Sequence, residues 1–216
     1  MSQQRRAPAA GRLLMAALIA GASGLALHAA PDLFDEIYAR GRGIEASLKT
    51  VTARFIETTT SSLLSRPLVA RGTLAVERPS RIVLRYTDPE IRTVLIDRNR
   101  LTLDWPSRAI RQQTEIEAAQ RRVEKYFLDK SPAELRRHFA ITAVDAEDRA
   151  GTWRVTMVPG RKQIQQGLTR LELWIDRTST LLTAMRMTFP NADTKLMEFE
   201  NVVVNGPVDP KLFSAE

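Results

Sequence analysis

The sequence predicts an α+β fold in which a single curved antiparallel sheet of about eleven strands forms an open half-barrel, lidded by three helices. Between Arg71 and Pro106, short apolar runs alternate with turn-forming residues, which is typical of an antiparallel meander. Helical spacing recurs in separate stretches that interrupt the strands rather than end them. Because the strand connections are local throughout, they favour a curved sheet around helices over a sandwich or a parallel fold.

Residues 1–30 are predicted to be a secretory signal peptide, which leaves 31–216 as the mature domain. Arginines precede an apolar run at Leu13–Leu27, and small residues follow at Ala29 and Ala30, near which we expect cleavage. A membrane-anchoring helix is the alternative, but serine and glycine interrupt the run, which falls short of the ~20 apolar residues that span a bilayer. The expected location of the mature protein is therefore the periplasm.

Composition excludes several classes of function. The chain has no cysteine, which rules out disulfides, thiol catalysis, thiolate metal sites and lipid attachment to an N-terminal cysteine. Without residues 1–30, which hold arginines and no acids, the formal excess of positive charge is small and is spread along the chain. Nucleic-acid binding would call for clustered basic residues with an aromatic platform. We therefore expect a soluble protein with no nucleic-acid partner, and we also expect it to be a monomer.

A long amphipathic helix is predicted to open the mature domain, since Asp32 can cap it and apolar residues recur at helical spacing from Leu33 to Val51. Gly41 and Gly43 each cost about 1 kcal/mol relative to alanine in a helix interior, so we expect a weak point there. The first strands are predicted at Arg54–Thr60, Leu68–Glu77, Arg81–Thr87, Thr93–Ile96, Leu101–Trp105 and, as a short addition, Ala109–Gln112.

The apolar period changes after these strands. Ile116, Val123 and Phe127 belong to a set of residues spaced three or four apart among charges, which predicts a second amphipathic helix. Ser131–Glu134 fits a capping box with proline at the first helical position, which predicts a short third helix over Pro132–Arg137. The remaining strands are predicted at Phe139–Val144, around Trp153–Met157, and at Leu168–Asp176, Leu181–Phe189 and Thr194–Val204.

Few residues could support catalysis. His138 is the single histidine of the mature chain, and its place between a predicted helix and a strand favours a hydrogen-bonded surface role over that of a catalytic base. Asp145, Glu147 and Asp148 share one turn, where solvation explains them better than calcium binding or glycoside chemistry. The sequence shows no phosphate-cradling loop, nucleophile elbow or metal-ligand spacing. It therefore predicts a protein that is not an enzyme and has no cofactor and no metal.

The order of elements resembles the LolA-type periplasmic carriers of outer-membrane lipoproteins over nearly all of the mature chain. The matching features are the signal, the first helix running into Val51–Phe55, and the motifs Gly72–Leu74, Glu77–Arg81, Tyr86–Pro89, Leu95–Asp97 and Met197–Asn201 with Asn205 and Phe213. This resemblance implies an unclosed β-barrel whose apolar face is covered by helices and forms a cavity for acyl chains.

The resemblance also implies particular site residues. In the family, the arginine of an Arg-Pro pair hydrogen-bonds to backbone carbonyls on the lid side and holds the empty carrier closed, and by motif this pair is Arg78 and Pro79. The alternative is an arginine that only ends a strand. The implied cavity lining is Leu74, Val76, Ile82, Leu84, Tyr86, Leu101, Leu103, Trp105, Leu171, Leu173, Met185 and Met187, with Ile116, Val123 and Phe127 from the lid. Ordinary core packing is the alternative for each of them.

The function implied by the resemblance is a carrier of lipidated proteins or acyl lipid cargo, loaded by an inner-membrane release transporter and emptied by an outer-membrane acceptor. Two departures from the family pattern leave alternatives open. The chain stops three residues after Phe213, without the C-terminal extension of many carriers, and Ile82 stands where they often place an aromatic residue. The alternatives are a LolA-like carrier of another acylated or polyene lipid paired with an exporter, and a lipid-sensing interaction module.

Overall fold

The fold is built on one antiparallel sheet. The computed structural model describes residues 32–116 and 130–213. Its strands are β1 (Thr50–Thr60), β2 (Leu68–Glu77), β3 (Arg81–Asp88), β4 (Arg92–Asp97), β5 (Arg100–Trp105), β6 (Ile110–Glu115), β7 (Phe139–Asp145), β8 (Thr152–Pro159), β9 (Arg170–Asp176), β10 (Leu182–Thr188) and β11 (Thr194–Val204). Its helices are α1 (Leu33–Ser47), α2 (Pro132–Arg136) and α3 (Lys162–Gln165), with short 3-10 turns at Pro106–Arg108 and Pro210–Phe213.

All eleven strands join in a single sheet that stays open. Their order across the sheet is β6-β5-β4-β3-β2-β1-β11-β10-β9-β8-β7. Each strand lies beside its neighbours in the chain, except where β1 pairs with β11 and joins the two halves. Because β6 and β7 form opposite edges, the sheet is not closed into a barrel. The predicted fold class, a single open antiparallel sheet of eleven strands with helices, is confirmed.

Helix α1 is shorter than the sequence predicts. Asp32 caps it as expected, since its carboxylate accepts a hydrogen bond from the Asp35 N–H. The helix ends at Ser47, however, and Val51 lies in β1, where it pairs with residues on both sides. The helical spacing of apolar residues predicts the start of α1 but not its end. At Val51 the backbone is paired within the sheet, so the residue belongs to β1 although its position fits the helical spacing. The helix is continuous through both of its glycines, so the predicted weak point does not break it.

The two short helices differ from prediction in one respect. The capping box of α2 is confirmed, with the Ser131 hydroxyl and the Glu134 carboxylate each accepting from the other residue's backbone N–H. Helix α3 was not predicted, because four residues are too few to show a helical period, although its Ile164 is buried. The described residues contain three α-helices, of which α1 and α2 correspond to predicted helices and α3 is additional.

The segment of that expected second helix falls mostly at 117–129, outside the described residues, and Val123 and Phe127 lie within it. Ile116, which the apolar spacing placed in the helix, is described and is not helical. Its backbone N–H donates to the Asn99 carbonyl at 2.7 Å, which extends the pairing of β5 with β6 by one residue. The prediction that Ile116 is helical is therefore wrong. Hydrogen bonding between β5 and β6 continues through this residue, where the apolar spacing predicted the start of a helix.

The sheet has two differently covered faces. On one face, α1 and α2 pack through Phe34, Ile37 and Leu135 onto side chains of β7, β8 and β9, and we call this the helix face. Arg136 of α2 ties the two helices together by pairing with Asp32 and Asp35 at the start of α1. On the opposite face, the C-terminal 3-10 turn packs Phe213 against β2, β3 and β4.

Candidate functional site

The helix face collects all the strand residues that the sequence predicts to line a cavity. Residues paired directly across neighbouring strands point to the same side of a sheet. Leu74 pairs with Leu84, which pairs with Val94 and then with Leu103. On the other side of β1, Met197 pairs with Met185, which pairs with Leu173, so these side chains point to the same face. The residues that share this face are Leu74, Val76, Ile82, Leu84, Tyr86, Leu101, Leu103, Trp105, Leu171, Leu173, Met185 and Met187.

One half of the helix face lies under α1. Leu171 and Leu173 contact the cluster formed by the α1 residues Phe34 and Ile37 together with side chains of β8. Between the helix and the sheet is an apolar cavity of about 300 Å³, close to the lower end of the range for small-molecule sites. Its lining includes Phe34, Ile37, Tyr38, Gly41, Leu135, Val155, Met157, Leu171, Leu173 and Ile175.

The other half of the helix face is built by β1 to β5 with β10 and β11. Phe55 is buried at its centre, in edge-to-face contact with Tyr86 at a centroid distance of 4.9 Å. Leu74, Leu84 and Met185 pack around this pair and remain only partly buried. A wall that combines a rigid aromatic pair with partly exposed aliphatic and methionine side chains can adapt to an apolar guest.

The Arg-Pro pair lies where β2 ends. The Arg78 backbone N–H donates to the Lys49 carbonyl at 2.9 Å. Its guanidinium reaches the last turn of α1, where Nη1 lies 3.4 Å from the Glu45 carbonyl oxygen and 3.5 Å from the Glu45 carboxylate. The peptide bond between Arg78 and Pro79 is cis. The arginine thus bridges the sheet to a backbone carbonyl of a covering helix.

A polar cluster that sequence reasoning missed borders the apolar wall. Glu57 on β1 is only 4% exposed. Its Oε2 accepts a hydrogen bond from the Tyr86 hydroxyl at 2.7 Å, and its Oε1 lies 3.1 Å from Lys195 Nζ and 3.5 Å from Arg92 Nη2. The Arg92 guanidinium also stacks on the Tyr86 ring at 3.9 Å from its centroid. Such a buried carboxylate is stable because both of its oxygens have partners.

A signal for this cluster exists in the sequence. Glu57 follows Phe55 by two residues in a strand, so alternation places its carboxylate on the apolar side. Lys195 stands in the same way two residues before Met197. The available signal is a charged residue that alternates in step with the apolar residues of its strand. Glu57, Arg92 and Lys195 all fit this pattern.

Burial and the adjacent Glu57 carboxylate raise the pKa of Tyr86 from 10.0 to about 12. Because the folded protein holds this proton more tightly than the unfolded chain, Tyr86 adds stability below pH 10 that is lost as the pH rises through 12. We expect the free energy of unfolding to fall less steeply across that range in Tyr86→Phe than in the wild type. Urea unfolding at several pH values measures this, and equal slopes in both proteins would contradict it.

Residues considered for catalysis are engaged in other contacts. Arg161 Nε donates to His138 Nδ1 at 2.8 Å. Asp145 pairs with Arg177, and Asp148 accepts a hydrogen bond from the Trp174 indole. Within residues 32–116 and 130–213, no group of three or more potential ligands is arranged to hold a metal ion. In the same residues, no helix combines the length and apolar character needed to cross a membrane.

Comparison with known proteins supports the carrier resemblance. The family model described as outer membrane lipoprotein carrier protein LolA matches residues 46–216. A search of curated proteins found no match. An uncharacterized conserved protein from Thermus thermophilus has a similar structure, with a TM-score of 0.52, 11% identity, and coverage of 85% of this chain and 94% of that one. This likeness shows the fold alone.

Two further solved structures resemble the chain more distantly. The lipoprotein LppX of Mycobacterium tuberculosis gives a TM-score of 0.49 at 11% identity, covering 81% of this chain and 96% of that one. In the MucA/MucB complex of Pseudomonas aeruginosa, the matching chain gives a TM-score of 0.47 at 14% identity, covering 84% of this chain and 60% of that one.

Proposed function

Because the chain belongs to the LolA family of outer membrane lipoprotein carrier proteins, we propose that it shields the acyl chains of lipoproteins on its helix face and ferries them from the inner to the outer membrane. The observation that carries this proposal is the apolar wall of an open sheet. Among the described residues, α1 covers one half of this wall, and partly exposed Leu74, Leu84 and Met185 surround buried Phe55 in the other half. Contiguous apolar surface that stays accessible in a folded protein is typical of a ligand-binding groove.

The physical need for such a carrier is large. Each buried methylene gains roughly 0.8 kcal/mol, so a long acyl chain gains on the order of 10 kcal/mol when it leaves water. A lipidated protein therefore requires an escort between two membranes. In this proposal the protein works in the periplasm as a monomer, receives cargo from an inner-membrane release transporter and passes it to an outer-membrane acceptor. Its work is binding and transfer, without covalent chemistry.

Arg78 is the proposed latch of the empty carrier, with Pro79 ending the strand behind it. Its contacts to Glu45 tie the end of β2 to α1. The arginine side chain is 42% exposed and the hydrogen bond is long, so solvent screening limits its contribution to about 1 kcal/mol. A latch of that size favours the closed state without preventing loading, since a few kcal/mol would be needed to lock a two-state equilibrium.

The Arg78→Leu variant tests the latch within the proposed function. Without the contact to α1, the empty state loses stability relative to the loaded state, and we expect the affinity for a neutral acyl probe such as a monoacylglycerol to rise about fivefold. Displacement of a fluorescent apolar dye measures this affinity. Arg71→Leu is the matched control, because Arg71 lies on the same strand, is exposed and pairs only with Asp88 among the described residues. An unchanged or weaker affinity in Arg78→Leu would remove the latch from the proposal.

A further inference from the structure

The polar cluster on the helix face carries more positive than negative charge. Arg92 and Lys195 both contact Oε1 of Glu57, while the Tyr86 hydroxyl occupies Oε2. One cation suffices to neutralise a buried carboxylate, so the second is in excess. Among the described residues, Glu57 is the only carboxylate that forms an ion pair with either of these cations.

The two cations are accessible although the carboxylate is not. The side chains of Arg92 and Lys195 are 29% and 32% exposed, against 5% for Glu57. A guanidinium has five N–H donors and an ammonium has three. Lys195 contacts one carboxylate oxygen, and Arg92 contacts the same oxygen and the Tyr86 side chain. Among the described residues, these contacts leave donors on both groups available to a second anion.

The cluster lies at one end of the apolar wall. Glu57 pairs across the sheet with Ala70 on one side and Met197 on the other, and Lys195 pairs with Met187. From there the same face continues through Phe55 to the aliphatic residues of β2 and β3. A molecule that lay along this face would thus meet apolar side chains over its length and two cations at its end.

We propose that Arg92 and Lys195 form the head-group site of the helix face, and that the cargo is an anionic amphiphile with an acyl chain and a phosphate or carboxylate head. This inference rests on the proposed binding of acyl chains on the helix face, and it takes up the alternative in which the cargo is an acylated lipid. The head group accepts charge-assisted hydrogen bonds from both cations, which are roughly twice as strong as hydrogen bonds between neutral groups. Arginine contributes a planar fork that matches the paired oxygens of either head.

Three probe molecules test the proposal on the full mature chain: one has both an acyl chain and a phosphate, and each of the other two lacks one of these groups. Lysophosphatidic acid carries an acyl chain and a phosphate, a monoacylglycerol with the same chain lacks the phosphate, and glycerol 3-phosphate lacks the chain. Displacement of a fluorescent apolar dye gives the first two affinities, and calorimetry gives the third. We expect lysophosphatidic acid to bind about tenfold more tightly than the monoacylglycerol, with glycerol 3-phosphate far weaker than both.

Substitutions in the cluster should move this preference in opposite directions. In Arg92→Gln the tenfold preference for the anionic probe should fall to about twofold or less, because one donor pair is lost. In Glu57→Gln it should rise, because the cations are no longer neutralised by the protein. Arg71→Gln removes the same charge from the opposite face of β2 and should leave the preference unchanged. A cluster with a purely structural role would lower stability in both cluster variants without changing the preference.

The possible outcomes separate this inference from the carrier function. Equal affinity for the anionic and neutral amphiphiles in the wild type would overturn the head-group site while leaving the carrier intact. Tight binding of glycerol 3-phosphate alone would also overturn it, since the site would then serve a free anion. Failure of both amphiphiles to bind would instead refute the carrier function itself. Thermal unfolding of each variant confirms that the comparison is made on folded protein.

Discussion

In a Leu74→Glu variant, the affinity for a neutral monoacylglycerol is expected to fall about 100-fold or more. Leu74 lies on the helix face, partly buried against the cluster around Phe55 and Tyr86. A carboxylate at this position must lose its hydration when an acyl chain covers it, and this desolvation costs several kcal/mol. A 100-fold loss of affinity corresponds to about 3 kcal/mol, which is within that cost. The same dye-displacement titration measures the effect.

Thr73→Glu is the matched control for this variant. Thr73 is the adjacent residue of β2, is exposed and points to the opposite face, so the substitution adds the same charge outside the proposed cavity. Its affinity should stay within about twofold of the wild type, because an exposed charge on the far face keeps its hydration. Equal losses in both variants would show that the helix face is not where acyl chains bind.

The Gly72→Ala variant is expected to lose about 3 kcal/mol of unfolding free energy or more, at the upper end of the cost of overpacking. A Cβ atom at Gly72 would lie 2.2 Å from the Arg85 carbonyl oxygen and 2.7 Å from the Phe55 ring. The nearer obstacle is backbone, so β2 and β3 would have to separate. Chemical denaturation measures the loss, and thermal unfolding should show a fall of roughly 10 °C.

Gly43→Ala is the control for Gly72→Ala, and we expect it to raise the unfolding free energy rather than lower it. Nothing lies within 4 Å of a Cβ atom at Gly43, and the residue is inside α1. Alanine there should stabilise the protein by about 0.5–1 kcal/mol, because it reduces the conformational entropy of the unfolded chain. Destabilisation by both substitutions to a similar extent would contradict the close packing inferred at Gly72.

The sheet was predictable because its signal is local. Alternation of apolar and polar residues, punctuated by turns, specifies both the strands and the face that each apolar side chain takes. Leu74 and Leu84 therefore lie on the predicted face although ten residues separate them in the sequence. The same reasoning could not end α1 correctly, because Val51 suits the helical period and the strand alike and only pairing within the sheet decides between them.

The polar cluster was not predicted because its meaning is not local. Glu57, Arg92 and Lys195 come from three distant parts of the chain, and their alternation with apolar residues does not show that they meet. Only the register of β1 with β11 and of β3 with β4 brings them together on one face. Similarly, the contact of Arg78 with Glu45 depends on where α1 ends, which the sequence pattern misplaces.

The central claim is that this chain carries acylated cargo, and native mass spectrometry of protein purified from the periplasm without detergent tests it most directly. We expect part of the wild-type protein to carry an additional mass corresponding to an acylated molecule. That mass should be absent from Leu74→Glu and retained in Thr73→Glu. Persistent absence of any bound lipid or lipoprotein from the wild type, and also from Arg78→Leu, would contradict the claim.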